Sequence, residues 1–327
     1  MTIKVGVLAI DGCVGLSVHG PIDLFSTANM ISRQIDQSEE VFRTYILSPT
    51  GDPVHTSSGH QIVAEGSFEM SETLDVLMIP GIGVETLEEL TTVLQKNSAF
   101  SELLVELAEN GATITASCTG TFLLGQSGLL DGKRATTTWW MSDTFRTEFP
   151  EVELLDEEIL VDEGQLITSA AGASSLDLSL HLINRFAGAS LSRLCARFLV
   201  VDGGRKSQHL YAVPWHSKTR DPLVEKADAW IRKHKGAAIR VDDLAAHLGV
   251  GARTLLRKFQ SHAGMTPQSY IQSVRLDQAK QLLEISDATV AQVGADVGFS
   301  DENAFRRAFA HRTGVSPTQY RKQFQYS

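Results

Sequence analysis

One short stretch, ASCTGTFLLG at 116–125, has the residue types and spacing of a reactive site. A β-type run ends there at Cys118, and small residues lead at once into an apolar helix. Such a turn lifts the cysteine side chain to the edge of a sheet and points the N-terminus of the next helix at it, which favours a thiolate nucleophile. The same turn could instead shape the wall of a ligand pocket. The sequence predicts one of these two uses for Cys118.

Length and composition indicate an ordinary globular protein with room for two domains. The chain has 327 residues, of which 43% are hydrophobic and 21% charged, so disorder is not indicated. Three cysteines are few and odd in number, which favours free thiols over a disulfide framework. We see no apolar run of membrane-spanning length and no leader-like start, so we expect a cytoplasmic protein with no membrane partner.

Charge is unevenly distributed along the chain. The overall net charge is −10, but the segment from Lys218 to the end has 17 basic and 11 acidic residues, which gives it a net charge of +6. The remainder therefore carries −16. A basic tail on an acidic body suggests that only the tail meets a polyanion.

The first two hundred residues alternate strand and helix patterns, as a doubly wound α/β domain does. Strands are predicted at 3–10, 41–48, 75–81 and 111–117, with a hairpin over 156–171. Helices are predicted from Gly20, with Pro21 in the first turn, over about 85–110 and over 174–188. This alternation stops in a segment with two glycines and two prolines. The predicted organisation is a first domain at 1–203, a linker at 204–221 and a tail domain at 222–327.

The tail contains an internal repeat. LAAHLGVGARTLLRKFQSHAGMTPQSY at 244–270 resembles VGADVGFSDENAFRRAFAHRTGVSPTQY at 293–320. The matched pairs are Gly249/Gly298, Phe259/Phe309, Gly264/Gly314, Pro267/Pro317 and Tyr270/Tyr320. Each copy has a short helix, a glycine turn and a second helix with basic residues, which is the plan of a helix-turn-helix. An amphipathic helix at 269–287 can hold the two units about 34 Å apart, in successive major grooves of DNA.

The segment RLDQAKQLLEISDATVAQVGADVGFSDENAFRRAFAHRTGVSPTQYR resembles the signature of the AraC/XylS transcriptional activators, over roughly 222–325. The resemblance implies binding to double-stranded promoter or operator DNA and, for an activator, contact with RNA polymerase. By the family's plan, base edges would be read by Arg253, Leu256 and Arg257 in one groove and by Glu302, Asn303 and Arg307 in the next. Phosphates are better matched by Lys258, Arg306 and Arg312.

The first domain resembles the DJ-1/PfpI (class I glutamine amidotransferase-like) fold, which is flavodoxin-like, over roughly 3–190. GPIDLF after the first strand, MIPG at the end of a middle strand and ASCTG at the elbow carry the likeness. GLLDGKRATTTWW and GASSLDLSLHLI resemble later landmarks of AraC-type regulators that have this domain in front. The resemblance therefore implies a regulator in which a sensing and oligomerising domain precedes a DNA-binding domain.

Two positions depart from the catalytic members of that family. Those members have an acidic side chain four residues before the proline of GP, and many supply a histidine. Here the two positions are Ser17 and Thr138. A thiolate needs a base or a strong local field, so we predict that Cys118 is not a catalytic residue. No metal or cofactor motif is present, and none is predicted.

The predicted pocket lies where the carboxyl ends of two strands meet. Its expected lining is Ser17, Pro80, Gly81, Cys118, Thr119, Thr138 and Trp139. A helix N-terminus there favours a carboxylate, and tryptophans could face a cation. Regulators of this kind often respond to amino-acid-like or quaternary-amine metabolites, so we expect a small effector of that class and a homodimer. Two alternatives stay open, a cysteine hydrolase or amidase tethered to DNA and a thiol redox sensor.

Overall fold

The chain divides into two compact units, Met1–Gln208 and His209–Ser327. The computed structural model describes residues 2–36, 40–68, 70, 74–84, 86–212, 221–234, 239–263 and 265–325. Residues 213–220 of the predicted linker and Gly264 of the repeat lie outside the described residues. Within these ranges, no helix is both long and apolar enough to cross a membrane.

The first unit is built on a mixed β-sheet. Its strands are β1 (Ile3–Leu8), β2 (Phe42–Ser48), β3 (Val54–His55), β4 (Gln61–Ile62), β5 (Gly66–Ser67), β6 (Val76–Ile79), β7 (Thr113–Ser117), β8 (Arg134–Ala135), β9 (Glu153–Leu154), β10 (Leu160–Glu163) and β11 (Leu166–Ser169). Among the described residues, seven of them form one sheet in the order β10-β11-β7-β6-β1-β2-β5. Only β10 in this sheet pairs antiparallel, in the predicted hairpin with β11. The central strands β6 and β7 are buried at every position, because strands on both sides and helices that pack on the sheet exclude water.

Helices cover this sheet in two groups. They are α1 (Gly15–Asp36), α2 (Leu87–Lys96), α3 (Phe100–Glu109), α4 (Thr121–Gln126), α5 (Ser142–Glu148), α6 (Ser174–Ala187) and α7 (Ala189–Phe198). Helix α1 packs against α6 and α7, whereas α3 and α4 pack against β7. Buried side chains of α1, such as Leu24 and Phe25, join the sheet residues in one core.

Two details of the predicted helices are wrong. Helix α1 begins at Gly15, so Pro21 lies inside it and not in its first turn. The proline cannot donate to the carbonyl of Ser17 one turn earlier, but burial of Val18 and Leu24 on either side holds the helix together. The single helix expected over about 85–110 is two helices, because the chain leaves the helix at Asn97 before α3 begins.

Every regular element described in the second unit is a helix. Its helices are α8 (Pro222–Lys233), α9 (Val241–His247), α10 (Ala252–Ala263), α11 (Pro267–Ile285), α12 (Val290–Asp296), α13 (Glu302–Thr313) and α14 (Pro317–Phe324). The pairs α9–α10 and α12–α13 are the two helix-turn-helix units, and α11 joins them. Gly249 and Gly298 follow the first helix of each pair with φ of 67° and 89°. This left-handed conformation explains why the matched turn residue is glycine.

The other matched residues of the repeat have equivalent positions in the two copies. Pro267 and Pro317 are the first residues of α11 and α14, where a missing N–H has no cost. The ring of Phe259 packs edge-on against Tyr270, with 5.1 Å between ring centroids, and Phe309 packs edge-on against Tyr320 at 5.4 Å. The repeat is therefore one packing arrangement used twice.

Each helix-turn-helix has a separate hydrophobic core. Leu255 and Phe259 belong to the first, and Phe305 and Phe309 to the second. Leu210, close to the start of this unit, also packs in the second core. The Lys280 ammonium of α11 donates to the carbonyls of His209 and Ala212, at 2.5 and 3.0 Å.

Removing a ring from the second core should destabilise this unit. Phe309 is fully buried, and Phe309→Ala should lower the free energy of unfolding by about 3–5 kcal/mol. Ile285 of the same unit is 79% exposed, and Ile285→Ala should change it by less than about 0.5 kcal/mol. Urea unfolding of the full chain, followed by circular dichroism, compares the two variants. Equal losses would contradict the assigned core.

Candidate functional site

The turn after β7 lies directly against the end of β6. Residues Cys118–Gly120 form a single 3-10 turn that leads into α4. A Cβ placed on Gly120 would lie 2.3 Å from the carbonyl oxygen of Pro80, so only glycine permits this approach. Cys118 has φ of 56°, a left-handed conformation that costs a non-glycine residue of order 1–3 kcal/mol. The structure therefore holds the cysteine in a strained elbow.

Three predicted pocket residues converge at this elbow. A Cβ placed on Gly81 would lie 3.0 Å from the Cβ of Cys118 and 3.5 Å from its Sγ. The hydroxyl oxygen of Ser17, on α1, is also 3.5 Å from that point. Each residue follows a different strand, because α1 follows β1, Gly81 follows β6 and Cys118 follows β7. The carboxyl edge of the sheet thus brings the three together.

The thiol of Cys118 is buried, and burial raises its pKa above the ordinary value for cysteine. The backbone N–H groups of Thr119 and Gly172 oppose this shift, and so do the hydroxyls of Thr119 and Thr138. These neutral donors do not outweigh desolvation, which disfavours the charged thiolate. The arrangement therefore keeps a protonated thiol at neutral pH, which is the reverse of what an activated nucleophile needs.

Thr138 lies at the position where the family resemblance places a histidine in many members. Its side chain is fully buried, and its hydroxyl oxygen has no hydrogen-bonding partner of standard geometry among the described residues. The group that it faces is the Cys118 thiol, whose pKa it lowers. A thiol is a weak hydrogen-bonding partner, so this buried hydroxyl is poorly satisfied and a polar ligand atom would stabilise it.

The remaining predicted pocket residues have supporting contacts. Thr119 Oγ1 accepts from the backbone N–H of Ile82 and donates to its carbonyl, both at 2.6 Å, which ties the elbow to the loop after β6. Pro80 supplies the carbonyl that faces Gly120. Trp139 packs edge-on against Trp140, with 5.2 Å between ring centroids, and is half-buried.

Sequence reasoning missed two residues at this site. Gly172 directs its N–H at the Cys118 sulfur from the loop before α6. Gln208, from the predicted linker, donates through Nε2 to the carbonyl of Thr137 at 2.7 Å and accepts through Oε1 from the N–H of Trp139 at 3.1 Å. A glutamine in a segment without periodicity gives no signal of such a contact.

The second helix of each helix-turn-helix has an exposed face with the predicted base-reading residues. On α10, Arg253, Leu256 and Arg257 are exposed, at spacings of three and four that place them on one side. On α13, Glu302, Asn303 and Arg307 are exposed. Two further residues, Gln260 and His311, are exposed on the same faces and were not predicted from the sequence.

The three predicted phosphate ligands have acidic neighbours within the protein. Lys258 Nζ is 2.6 Å from the carboxylate of Asp221, which caps α8 and whose pKa the lysine lowers. Arg306 pairs with Glu302 one turn earlier on α13, at 2.7 Å. Arg312 is half-buried and lowers the pKa of Asp277 on α11, although burial raises that pKa overall. A phosphate at any of these positions would compete with a carboxylate.

Models of known protein families match each of the two units. The model of the DJ-1/PfpI family matches residues 4–185, and a helix-turn-helix domain matches residues 244–323. The chain belongs to the DJ-1/PfpI family. The helix-turn-helix is of the AraC type, and this DJ-1/PfpI family member is a DNA-binding transcriptional regulator. Both the predicted family and the predicted fold class are confirmed.

Two relatives that align with nearly the whole chain support this assignment. The chain is 31% identical to the HTH-type transcriptional regulator CdhR of Pseudomonas aeruginosa, over 94% of this chain and 89% of that protein. It is 27% identical to the regulator GbdR of the same species, over 98% and 84%. A putative transcriptional regulator from Vibrio parahaemolyticus has the fold of the DJ-1/PfpI unit, with a TM-score of 0.53, 24% identity and coverage of 61% of this chain and 100% of that one.

The raised pKa of Cys118 predicts slow alkylation at neutral pH. The rate with iodoacetamide should follow the thiolate fraction, rising about tenfold per pH unit without a plateau up to about pH 8.5. Mass spectrometry can follow Cys118 separately from Cys13 and Cys195, and the urea-unfolded chain provides the reference for an ordinary thiol. A plateau near neutral pH would mean that the folded elbow activates the cysteine.

Proposed function

We propose that the DJ-1/PfpI unit of this regulator senses a small metabolite at the Cys118 elbow. The observation that carries the proposal is the buried Thr138 hydroxyl, which faces the thiol and makes no standard hydrogen bond among the described residues. Ser17, Gly81 and Cys118 meet beside it. A polar ligand atom at this point would satisfy the hydroxyl, and the metabolite would change the occupancy of DNA by its different affinities for two states of the protein.

The chemistry of the elbow favours an amino-acid-like or amine effector. The N–H groups of Thr119 and Gly172, which point at the sulfur, suit a carboxylate oxygen. The half-buried rings of Trp139 and Trp140 offer aromatic surface to an ammonium group. A zwitterion has both features, so it is the first class to test.

The site supports sensing better than catalysis. The two positions that supply an acid and a histidine in catalytic relatives are Ser17 and Thr138 here, and burial raises the pKa of Cys118. A histidine elsewhere in this unit, His181, already has another partner, because its Nε2 lies 2.7 Å from the carboxylate of Asp162 on the β10–β11 hairpin. One observation favours the second candidate, a cysteine hydrolase or amidase, because the strained φ of Cys118 is typical of a nucleophile elbow.

We also propose that the regulator is a homodimer that acts on RNA polymerase from a promoter. Apolar side chains are exposed on neighbouring helices of the first unit, with Leu16 of α1 49% exposed, Phe198 of α7 61% and Val200 just after it 91%. Helices α1 and α7 pack against each other. Such a surface is suited to a second copy of the chain.

A ligand screen tests the sensing proposal. Thermal unfolding of the full chain should shift with one of glycine betaine, L-arginine or spermidine, since a ligand at about 100 times its Kd adds about 2.7 kcal/mol to the free energy of unfolding. The shift should be weaker in Thr138→Val, which keeps the shape and removes the hydroxyl. Its matched control is Thr92→Val, on an exposed part of α2.

The same experiment separates sensing from catalysis. A hit that persists in Cys118→Ala and is recovered unchanged supports a sensor. A hit that is consumed only when Cys118 is present would make the first unit an enzyme. If peroxide changes DNA affinity and reductant restores it, without any hit, the chain is a thiol redox sensor.

The DNA-binding assignment makes a contrasting prediction for two neighbouring arginines of α13. After selection of preferred duplexes with the wild-type protein, Arg307→Ala should cost about 1–3 kcal/mol and relax the preference at one base pair. Arg306→Ala should instead weaken binding to all duplexes to a similar extent. Fluorescence anisotropy on a panel of single-base variants measures both. A uniform loss for Arg307→Ala would make it a phosphate ligand only.

A further inference from the structure

The side chain of Gln208 is buried, and its carboxamide binds the backbone on both sides of Thr138. Nε2 donates to the carbonyl of Thr137 at 2.7 Å, and Oε1 accepts from the N–H of Trp139 at 3.1 Å. Nε2 also donates to the carbonyl of Asp156 at 2.9 Å. We call the first two contacts the Gln208 bridge. It fixes the two peptide groups that flank Thr138.

The backbone held by the Gln208 bridge is also tied to the elbow. Thr137 donates through its hydroxyl to the carbonyl of Cys118 at 2.8 Å. The Thr138 hydroxyl faces the Cys118 thiol. A continuous path of hydrogen bonds therefore runs from the peptide group of Cys118 through Thr137 to the side chain of Gln208, and all three residues are buried.

Gln208 is the last residue of the first unit, and His209 opens the second. Within the second unit, the carbonyls of His209 and Ala212 accept from Lys280, and Leu210 packs with the core of the second helix-turn-helix. The segment 209–212 is thus part of a folded unit. The hydrogen bonds of Gln208 lie inside the first unit, and those of His209 and Ala212 lie inside the second. The Gln208–His209 peptide bond links the two sets.

We propose that Gln208 couples the state of the elbow to the segment 209–212. A buried carboxamide that loses a partner pays a free-energy penalty, so its side chain must follow any movement of the Thr137–Trp139 backbone. A ligand that engages Thr138 moves this backbone, and the Gln208 bridge passes the movement to the residue that precedes the second unit. The proposal rests on the proposed function, because it assigns the route by which the sensing site acts.

A double-mutant cycle in the full chain tests this coupling without the effector. Thr137→Val removes the hydroxyl that donates to Cys118 at the elbow end, and Gln208→Met removes the bridge while keeping a side chain of similar length. Hydrogen exchange measured by mass spectrometry reports on the backbone amides of 209–212. Thr137→Val should change their exchange rates roughly two- to tenfold when Gln208 is present, as expected for the loss or shift of one hydrogen bond. In the Gln208→Met background it should change them little.

The chain offers a matched control in Gln165. Its Nε2 donates to the carbonyls of Ala108 and Ala112, away from the Gln208 bridge. In the Gln165→Met background, Thr137→Val should change exchange at 209–212 as much as it does in the wild type. The proposal is wrong if Thr137→Val leaves 209–212 unchanged when Gln208 is present, or changes that segment equally with and without the bridge.

A second variant and the choice of readout keep the result of the exchange experiment interpretable. If Gln208→Met does not fold, as judged by thermal unfolding, Gln208→Glu replaces it, because a carboxylate keeps the acceptor for Trp139 and loses the donor to Thr137. The readout involves neither effector nor DNA. If the ligand screen finds no ligand, the exchange experiment still tests the coupling. If the exchange experiment finds no coupling, ligand binding and DNA binding are still tested by their own experiments.

Discussion

The close approach of Gly120 to the carbonyl oxygen of Pro80 is the constraint on which the first unit's site depends. Because this position has no side chain, the turn after β7 can lie against the end of β6. That contact places Cys118 in a left-handed conformation and brings its side chain to Gly81 and Ser17. The same closeness removes water from the thiol, which raises its pKa. Elbow geometry and the raised pKa of the thiol thus have one cause, and an enzyme of this shape would need charged partners to lower that pKa.

Much of the architecture could be predicted from the sequence because it depends on local patterns. Continuous apolar runs identify buried parallel strands, and the matched glycines, phenylalanines, prolines and tyrosines identify the repeated helix-turn-helix. The position of Pro21 was misjudged because proline favours a first turn, whereas burial of its neighbours keeps α1 intact around it. The break at Asn97 was missed because both flanking segments have helical spacing.

The site itself was predictable only in part. The convergence of the loops after β6 and β7 follows from the general rule for parallel sheets. By contrast, the contact of Gln208 with Thr137 joins residues 71 positions apart, and no periodicity or charge pattern marks it. The acidic neighbours of Lys258 and Arg312 are likewise tertiary contacts that involve residues on other helices. Residue types indicate what a side chain can bind, and the fold decides what it already binds.

The separate cores of the two helix-turn-helix units have an evolutionary consequence. Since Phe259 and Phe309 belong to different cores, a change in one copy leaves the packing of the other intact, and a duplicated unit can diverge at its surface while its scaffold is preserved. The residue at the position of Arg253 in the other copy is Asn303, and that at the position of Leu256 is Arg306. Because the predicted DNA-binding positions differ between the two copies, we expect the copies to recognise different bases and the DNA site of one chain to differ from a simple tandem repeat.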